Sequence, residues 1–221
     1  MQRHFDDQLK DLHQEILKMG VMAQEAIFRS IEALKSRDKA QAEEVIANDR
    51  KIDGIENAID EQCIDLIARN QPMAGDLRFI ATALKINADL ERIADLAVDI
   101  CQRVLELVEK PLLKPLIDIP QLSAIAQKMV KDSIDAFVSR DSGLAKKVML
   151  ADSEADQLRD RVQSELINDY MAKDATTVDR AVALLLIARY LERICDHATN
   201  IAEDVVYMVE GKIVKHHSDD L

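Results

Sequence analysis

Hydrophobic residues recur at helical spacing along almost the whole chain. From Phe5 to Ala26 they alternate at intervals of four and three residues, which predicts a long amphipathic helix ending near residues 36–38. Similar spacing predicts five further helices at residues 39–69, 76–110, 121–139, 142–172 and 176–210. Six long helical patterns without alternating strand patterns indicate an all-α protein.

Proline and glycine mark the places where these patterns stop. Pro72 and Gly75 interrupt the chain before the third helix, and Asp76 is the predicted N-cap of that helix. Three prolines within ten residues mark a linker. We therefore expect a first three-helix unit at 1–110, a proline-containing linker at 111–120, a second three-helix unit at 121–211 and a polar tail at 212–221. Short connections within each unit predict antiparallel neighbours.

The two predicted units carry the same octapeptide. Residues 90–97 read Leu-Glu-Arg-Ile-Ala-Asp-Leu-Ala, and residues 191–198 repeat six of these eight residues at an offset of 101. Internal duplication explains this, so the predicted fold is two tandem antiparallel three-helix bundles. An offset of 103 relates two acid pairs on the preceding helices: Asp49 and Asp53, and Asp152 and Asp156.

Composition supports a helical protein and excludes one class of ligand. Only five glycines, four prolines and 3% aromatic residues occur, fewer than most sheet proteins need. The net charge of −12 lacks the basic stripe that nucleic-acid binding normally requires. No nucleic-acid partner is expected.

The cysteines and the lengths of the apolar segments indicate the cellular compartment of the protein. Three widely separated cysteines lie within helical apolar patterns, which favours reduced core residues over disulfides. No apolar signal segment opens the chain, and its longest apolar run, residues 181–188, is far shorter than a membrane span. We expect a cytoplasmic protein that meets membranes only through partners.

Helix phasing separates the apolar and acidic residues of the repeat. At about 100° per residue, Leu90, Ile93 and Ala97 share one side of the third helix, and Glu91 and Asp95 lie roughly opposite. The same arithmetic places Glu192 and Asp196 outside the core of the second unit. Two acids one turn apart repel by a few tenths of a kcal/mol unless something compensates them.

Two interpretations of these acids remain open. Adjacent helices within each unit would bring four carboxylates together, a donor set that suits hard cations. The alternative is a solvated acidic face, since 41 acids in 221 residues give about seven i,i+4 acidic pairs by chance. The candidate metal ligands are Asp49, Asp53, Glu91, Asp95, Asp152, Asp156, Glu192 and Asp196.

The cationic residues beside these acids also have more than one interpretation. Arg92 and Arg193 are candidates to contact a partner's carboxylate or an anion such as phosphate, or else to pair with neighbouring acids within the chain. His197 is a candidate for an additional metal ligand, a proton-sensitive surface residue, or neither.

Several catalytic signatures are absent from the sequence. It contains no glycine-rich phosphate loop, no Gly-x-Ser-x-Gly and no Cys-x-x-Cys. No Glu-x-x-His motif of the ferritin-like di-iron enzymes occurs either. The carboxylates therefore lack the ligands of that enzyme class.

The chain resembles the PhoU family, the regulatory proteins of the phosphate-specific transport system. The resemblance rests on the paired octapeptide at 90–97 and 191–198, on Ile-Ala-Arg-Tyr at 187–190 and on Pro-Met-Ala-Gly-Asp-Leu-Arg at 72–78. It extends over nearly the whole chain. One departure is that the family often has Gly before the Asp of its signature, where this chain has Ala94 and Cys195.

The resemblance implies a duplicated three-helix-bundle protein, usually a homodimer, that represses the phosphate-starvation response when phosphate is plentiful. It implies partners in the ATPase subunit of the phosphate ABC transporter and in a membrane-bound sensor histidine kinase. Some members carry multinuclear metal clusters on paired acidic motifs, which correspond here to the eight candidate acids. The metal stays open among iron, zinc, manganese, magnesium and calcium.

Our leading hypothesis is a non-catalytic regulator of phosphate uptake and signalling. One alternative is a metal-dependent hydrolase or oxidase that uses the carboxylate clusters. Another is a purely structural helical scaffold.

Overall fold

The computed structural model describes residues 2–212 and 214, with side chains from Phe5 onward, and within that part of the chain contains helices and no strands. The prediction of an all-α fold is confirmed. The six long helices are α1 Gln2–Ser36, α2 Lys39–Asn70, α3 Ala74–Val108, α4 Asp118–Ser139, α5 Ser142–Glu165 and α6 Val178–Glu210.

Helices α3 and α6 form the centre of the molecule. Helix α3 packs on α1 and α2, α6 packs on α4 and α5, and the two central helices pack on each other. They run antiparallel, because Lys85 Nζ lies 2.8 Å from Asp204 Oδ1 while Asp89 Oδ1 lies 2.8 Å from His197 Nδ1. The two predicted three-helix bundles are confirmed, and their buried apolar residues form one continuous core.

The apolar side of the repeated octapeptide builds this core in both bundles. Its leucine, isoleucine and final alanine are 0% exposed in each copy, as the helix phasing predicts. The small residue before the repeated aspartate is buried as well, at 1% exposure for Ala94 and 0% for Cys195. The leucine, isoleucine and alanine residues in question are Leu90, Ile93, Ala97, Leu191, Ile194 and Ala198.

The turn between α1 and α2 recurs between α4 and α5. Arg37 and Arg140 adopt the left-handed conformation, with φ of 58° and 52°. The aspartates that follow them, Asp38 and Asp141, accept hydrogen bonds from the backbone N–H three residues later at 3.1 and 3.0 Å. Both aspartates are N-caps, so the duplication extends to the local devices that stop one helix and start the next.

Two helix starts differ from the sequence prediction. Asp76 is not the N-cap of α3, because the helix begins at Ala74 after Met73, and Asp76 lies in its first turn. An acid still stabilises the positive end of the helix at that position. Helix α4 begins at Asp118 rather than at residue 121, because Pro120 is tolerated in a first turn, where its missing N–H is not needed.

The fifth helical segment changes type before it ends. Its α-helical part stops at Glu165 and continues as a π-helical segment, Leu166–Met171, close to the predicted end at 172. A short 3₁₀ turn, Ala175–Thr177, then leads into α6. Most of the polar tail predicted at 212–221 lies outside the described residues. None of the described helices is both long enough and apolar enough to span a bilayer.

We predict that Phe137→Ala destabilises the protein by about 3–5 kcal/mol, because it leaves a large cavity in the core. Phe137 is 0% exposed and stacks on Phe79 with ring centroids 5.3 Å apart, linking α4 to α3. Urea unfolding measures the effect. The matched control is Leu150→Ala on α5, whose side chain is 63% exposed and whose loss should change stability by less than about 1 kcal/mol.

Candidate functional site

The packing of α2 on α3 brings together the acids of the first half. Asn87 ties the two helices, since its buried Nδ2 donates to the Glu56 backbone carbonyl at 2.9 Å and to Asp60 Oδ1 at 2.8 Å. The predicted acids of both helices then lie close enough for their charges to interact. We call Asp49, Asp53, Glu91 and Asp95 the first acidic cluster.

The electrostatics of the first acidic cluster reflect burial and crowding. Burial, followed by repulsion from Asp53 and Asp95, raises the pKa of Asp49 to about 6. Burial, followed by the charge of Asp95, raises the pKa of Glu91 to about 7, against the opposing effect of Arg92. The charged forms of these acids are therefore disfavoured in the folded protein.

Two acids outside the predicted set belong to the same surface. Burial and the charges of Asp60 and Asp53 raise the pKa of Glu56, and burial and the charge of Asp95 raise that of Asp99. Each lies a helical step of three or four residues from a predicted acid. That spacing is the sequence signal that could have included them.

The packing of α5 on α6 assembles the second acidic cluster in the same way. Burial, then repulsion from Asp196 and Asp156, raises the pKa of Asp152 to about 6. Burial also raises the pKa of Glu192, and the negative charges of Asp196 and Asp156 raise it further. The structure thus brings together the four predicted acids of the second half: Asp152, Asp156, Glu192 and Asp196.

Glu192 departs from the sequence prediction. Phasing placed it outside the core, but its side chain is only 6% exposed. Its Oε1 accepts a hydrogen bond from Arg189 and lies 3.6 Å from Arg159 Nη2, whereas its Oε2 is buried without a hydrogen-bond partner. The arginines satisfy one carboxylate oxygen, which is what allows a charged residue to be buried here.

The repeated arginines differ in their surroundings. Arg92 pairs within the chain, with Nε 3.3 Å from Glu91 Oε2 and Nη1 3.0 Å from Asp95 Oδ2. Arg193 is exposed, and its charge lowers the pKa of Asp99 and Asp196, against larger effects that raise it. Both arginines are exposed, but Arg92 is engaged by two carboxylates of its own helix, so Arg193 is the better placed of the two to meet a partner or an anion.

His197 contacts the other half of the molecule. Its Nδ1 lies 2.8 Å from Asp89 Oδ1 across the α3–α6 contact, and its side chain is 18% exposed. The ring is therefore held by Asp89.

The eight candidate acids have the chemistry of cation ligands, but their side chains are not arranged to enclose an ion. All eight candidate ligands are carboxylates, which hard cations prefer, and the unpartnered Glu192 Oε2 is a buried acceptor available to such an ion. Within residues 2–212 and 214, however, no three or more Asp, Glu, His or Cys side chains are positioned together to hold a metal ion. The residues fit the chemistry of a metal, and rotation of their side chains would be needed to enclose one.

We predict that stability falls as pH rises from about 4 to about 7, which is the range between the ordinary and the raised pKa values of Asp49 and Glu91. A raised carboxyl pKa makes the folded state hold its proton longer than the unfolded chain, so the stabilisation is present at low pH and lost as pH passes about 6 for Asp49 and about 7 for Glu91. The double variant Asp49→Asn/Glu91→Gln should flatten this slope in urea unfolding at each pH. The exposed acid Asp65 on α2 supplies the control, and a slope that Asp65→Asn reduces equally would contradict the assignment.

Comparison with known proteins agrees with this architecture. The model of the PhoU domain matches the chain twice, over residues 6–104 and 119–205, which is once in each bundle. The phosphate-specific transport system accessory protein PhoU homolog of Aquifex aeolicus (strain VF5) is 43% identical over 209 residues, covering 95% of this chain and 94% of that protein. The accessory protein PhoU of Escherichia coli (strain K12) is 32% identical over 216 residues, covering 98% and 89%.

Solved structures show the same fold. The crystal structure of PhoU from Pseudomonas aeruginosa superposes with a TM-score of 0.90 at 35% identity, covering 94% of this chain and all of that one. The phosphate transport system regulatory protein PhoU from Streptococcus pneumoniae gives a TM-score of 0.89 at 30% identity, covering 96% and 99%. The two domain matches, the chain-wide identity and the shared fold agree, and the chain belongs to the PhoU family.

Proposed function

We propose that this protein is a non-catalytic cytoplasmic regulator of phosphate uptake and signalling. It represses the phosphate-starvation response by coupling the ATPase subunit of the phosphate ABC transporter to a sensor histidine kinase, and it meets the membrane only through these partners. The observation that carries the proposal is similarity along both bundles to proteins named as accessory and regulatory components of phosphate transport.

The acidic clusters supply the recognition chemistry in this proposal. A protein with net charge −12 attracts basic surfaces, and grouped carboxylates concentrate that attraction on defined faces of α2–α3 and α5–α6. Charge complementarity of this kind raises association rates and selects partners. The raised pKa values of Asp49 and Asp152 are consistent with surfaces whose charges are incompletely compensated inside the chain.

Metal binding belongs to the same proposal. Divalent or ferric ions would be held by Asp49, Asp53, Glu91 and Asp95 in the first half and by the corresponding acids in the second. A bound ion would neutralise the crowded carboxylates. The protein's own contribution is to hold these acids at the α2–α3 and α5–α6 contacts, where burial and repulsion raise the pKa values of Asp49, Glu91 and Asp152.

A homodimer is the proposed assembly. Apolar side chains on the outer face of α1 support it, since Val21 is 63% exposed and Phe28 is 48% exposed and the two are seven residues apart on one helix face. Static light scattering of the purified chain distinguishes a dimer from a monomer.

We predict that deleting the gene from its host releases phosphate-starvation transcription in phosphate-rich medium. A plasmid copy of the wild type should restore repression, while a variant with four cluster acids changed should not, because both acidic surfaces are removed. The variant is Glu91→Ala, Asp95→Ala, Glu192→Ala and Asp196→Ala.

A second quadruple variant controls for loss of charge alone. It changes four exposed acids outside the clusters and should repress normally: Glu43→Ala, Asp65→Ala, Glu154→Ala and Asp169→Ala. Normal repression by the cluster variant would instead support a structural scaffold. Metal-dependent turnover that depends on Asp95 and Asp196 would support the enzyme alternative.

We also predict that protein purified without chelators or a metal-affinity tag carries metal, measured by plasma mass spectrometry. The four-acid cluster variant should lose most of that metal, because it removes two carboxylates from each cluster. Equal metal content in the wild type and this variant would rule out the assigned ligands.

A further inference from the structure

The two halves differ in charge at equivalent positions around their acidic clusters. The offset of 103 that aligns the acid pairs of α2 and α5 places Arg159 where the first half has Glu56. The offset of 101 that aligns α3 and α6 places Arg189 where the first half has Ala88. At these two positions the second half has cations where the first has an acid and an uncharged residue.

These two arginines converge on one buried carboxylate. Arg189, on α6, donates a hydrogen bond to Glu192 Oε1, and Arg159 reaches the same oxygen from α5 at 3.6 Å. Arg159 Nη2 also lies 3.5 Å from Asp156 Oδ1, so one guanidinium connects acids of both helices. Arg159 therefore contacts acids on both helices of the second acidic cluster.

The corresponding carboxylate in the first half is held differently. The Glu91 side chain is 19% exposed and its partner Arg92, 62% exposed, lies on the same helix as its immediate neighbour. Glu56 adds a further negative charge there, since it contributes to the raised pKa of Glu91. No cation from α2 joins the first acidic cluster among the ion pairs of the described residues.

We infer that Arg159 and Arg189 are internal counter-ions of the second acidic cluster, occupying the electrostatic role that a metal ion would have in the first. This inference rests on the proposed metal binding of the first acidic cluster. The two clusters are consequently inequivalent: the first binds a divalent cation more tightly, and the second binds one more weakly because the cation competes with the two arginines.

The second cluster nevertheless keeps an acceptor for such an ion. Glu192 Oε2 is buried without a partner, although Oε1 of the same carboxylate is occupied by the arginines. A cation that approaches this oxygen meets two guanidinium groups nearby, and repulsion between like charges at that range lowers its affinity. Removing the guanidinium charges should therefore open the site.

The test is Mn²⁺ binding to the full chain, measured by calorimetry. The wild type should show binding that Asp49→Asn/Asp95→Asn removes, because that binding belongs to the first acidic cluster. The variant Arg159→Gln/Arg189→Gln should gain a second set of sites with affinity at least about tenfold above that of the wild-type second half. Further substitution of Asp196→Asn should abolish the gain.

Two matched variants sharpen the comparison. Arg161→Gln removes an exposed arginine of α5 that pairs with Asp118 instead, at 3.8 Å, and should add no Mn²⁺ sites. Glu56→Arg places the second half's charge in the first half and should weaken Mn²⁺ binding there roughly tenfold. Unchanged Mn²⁺ binding in the Arg159→Gln/Arg189→Gln variant, where the wild type does bind Mn²⁺, would overturn the inference.

A second readout decides the counter-ion role without metal. In chelator-treated protein, Arg159→Gln/Arg189→Gln should lower Tm by roughly 5–10 °C, because the buried carboxylate loses its partners. Adding Glu192→Gln should restore most of that loss by removing the charge. If no variant binds Mn²⁺, the proposed metal site fails, while the Tm series still confirms or rejects the counter-ions. An unchanged Tm, or no restoration by Glu192→Gln, rejects them.

Discussion

The antiparallel packing of α3 on α6 is the contact on which the rest of the molecule depends. Each of these helices is the third and innermost of its bundle, so their contact joins two incomplete cores into one. Polar groups fix its register, since Lys85 meets Asp204 and Asp89 meets His197 from opposite helices. Because repeated sequences pack in opposite directions, the two halves are related by an approximate two-fold arrangement with an acidic cluster in each.

The packing of α2 on α3 explains why the charged form of Glu91 is disfavoured. A helix that buries Leu90 and Ile93 against two neighbours brings Glu91 into partial burial at the edge of the α2 contact. Burial disfavours the charged form of Glu91, and the charges of Asp95 on the same helix and of Glu56 on α2 disfavour it further. The packing thus stabilises the core but keeps the acids close enough to repel one another. A positive charge placed near them would reduce that repulsion.

The two halves share the core of the octapeptide but differ in charge around their acidic clusters. Ile93 and Ile194, for example, are identical and fully buried. Around the clusters, where side chains are partly hydrated, Glu56 and Arg159 differ at equivalent positions without disturbing the fold. The two halves are therefore alike as scaffolds and different as electrostatic surfaces.

The helical fold, the duplication and the burial of the octapeptide's apolar side could be predicted from the sequence, because helical periodicity is a local property of the chain. Helix phasing also predicted acids of α2 and α3, and of α5 and α6, whose charges interact, while their role as metal ligands stays a prediction. The sequence also predicted Asp76 as a cap and Glu192 outside the core, and both predictions were wrong. Both features depend on contacts beyond the local pattern, because helix starts respond to the preceding turn, and the burial of Glu192 depends on Arg159, an arginine 33 residues away on another helix. Charge pairing between helices has no period in the sequence.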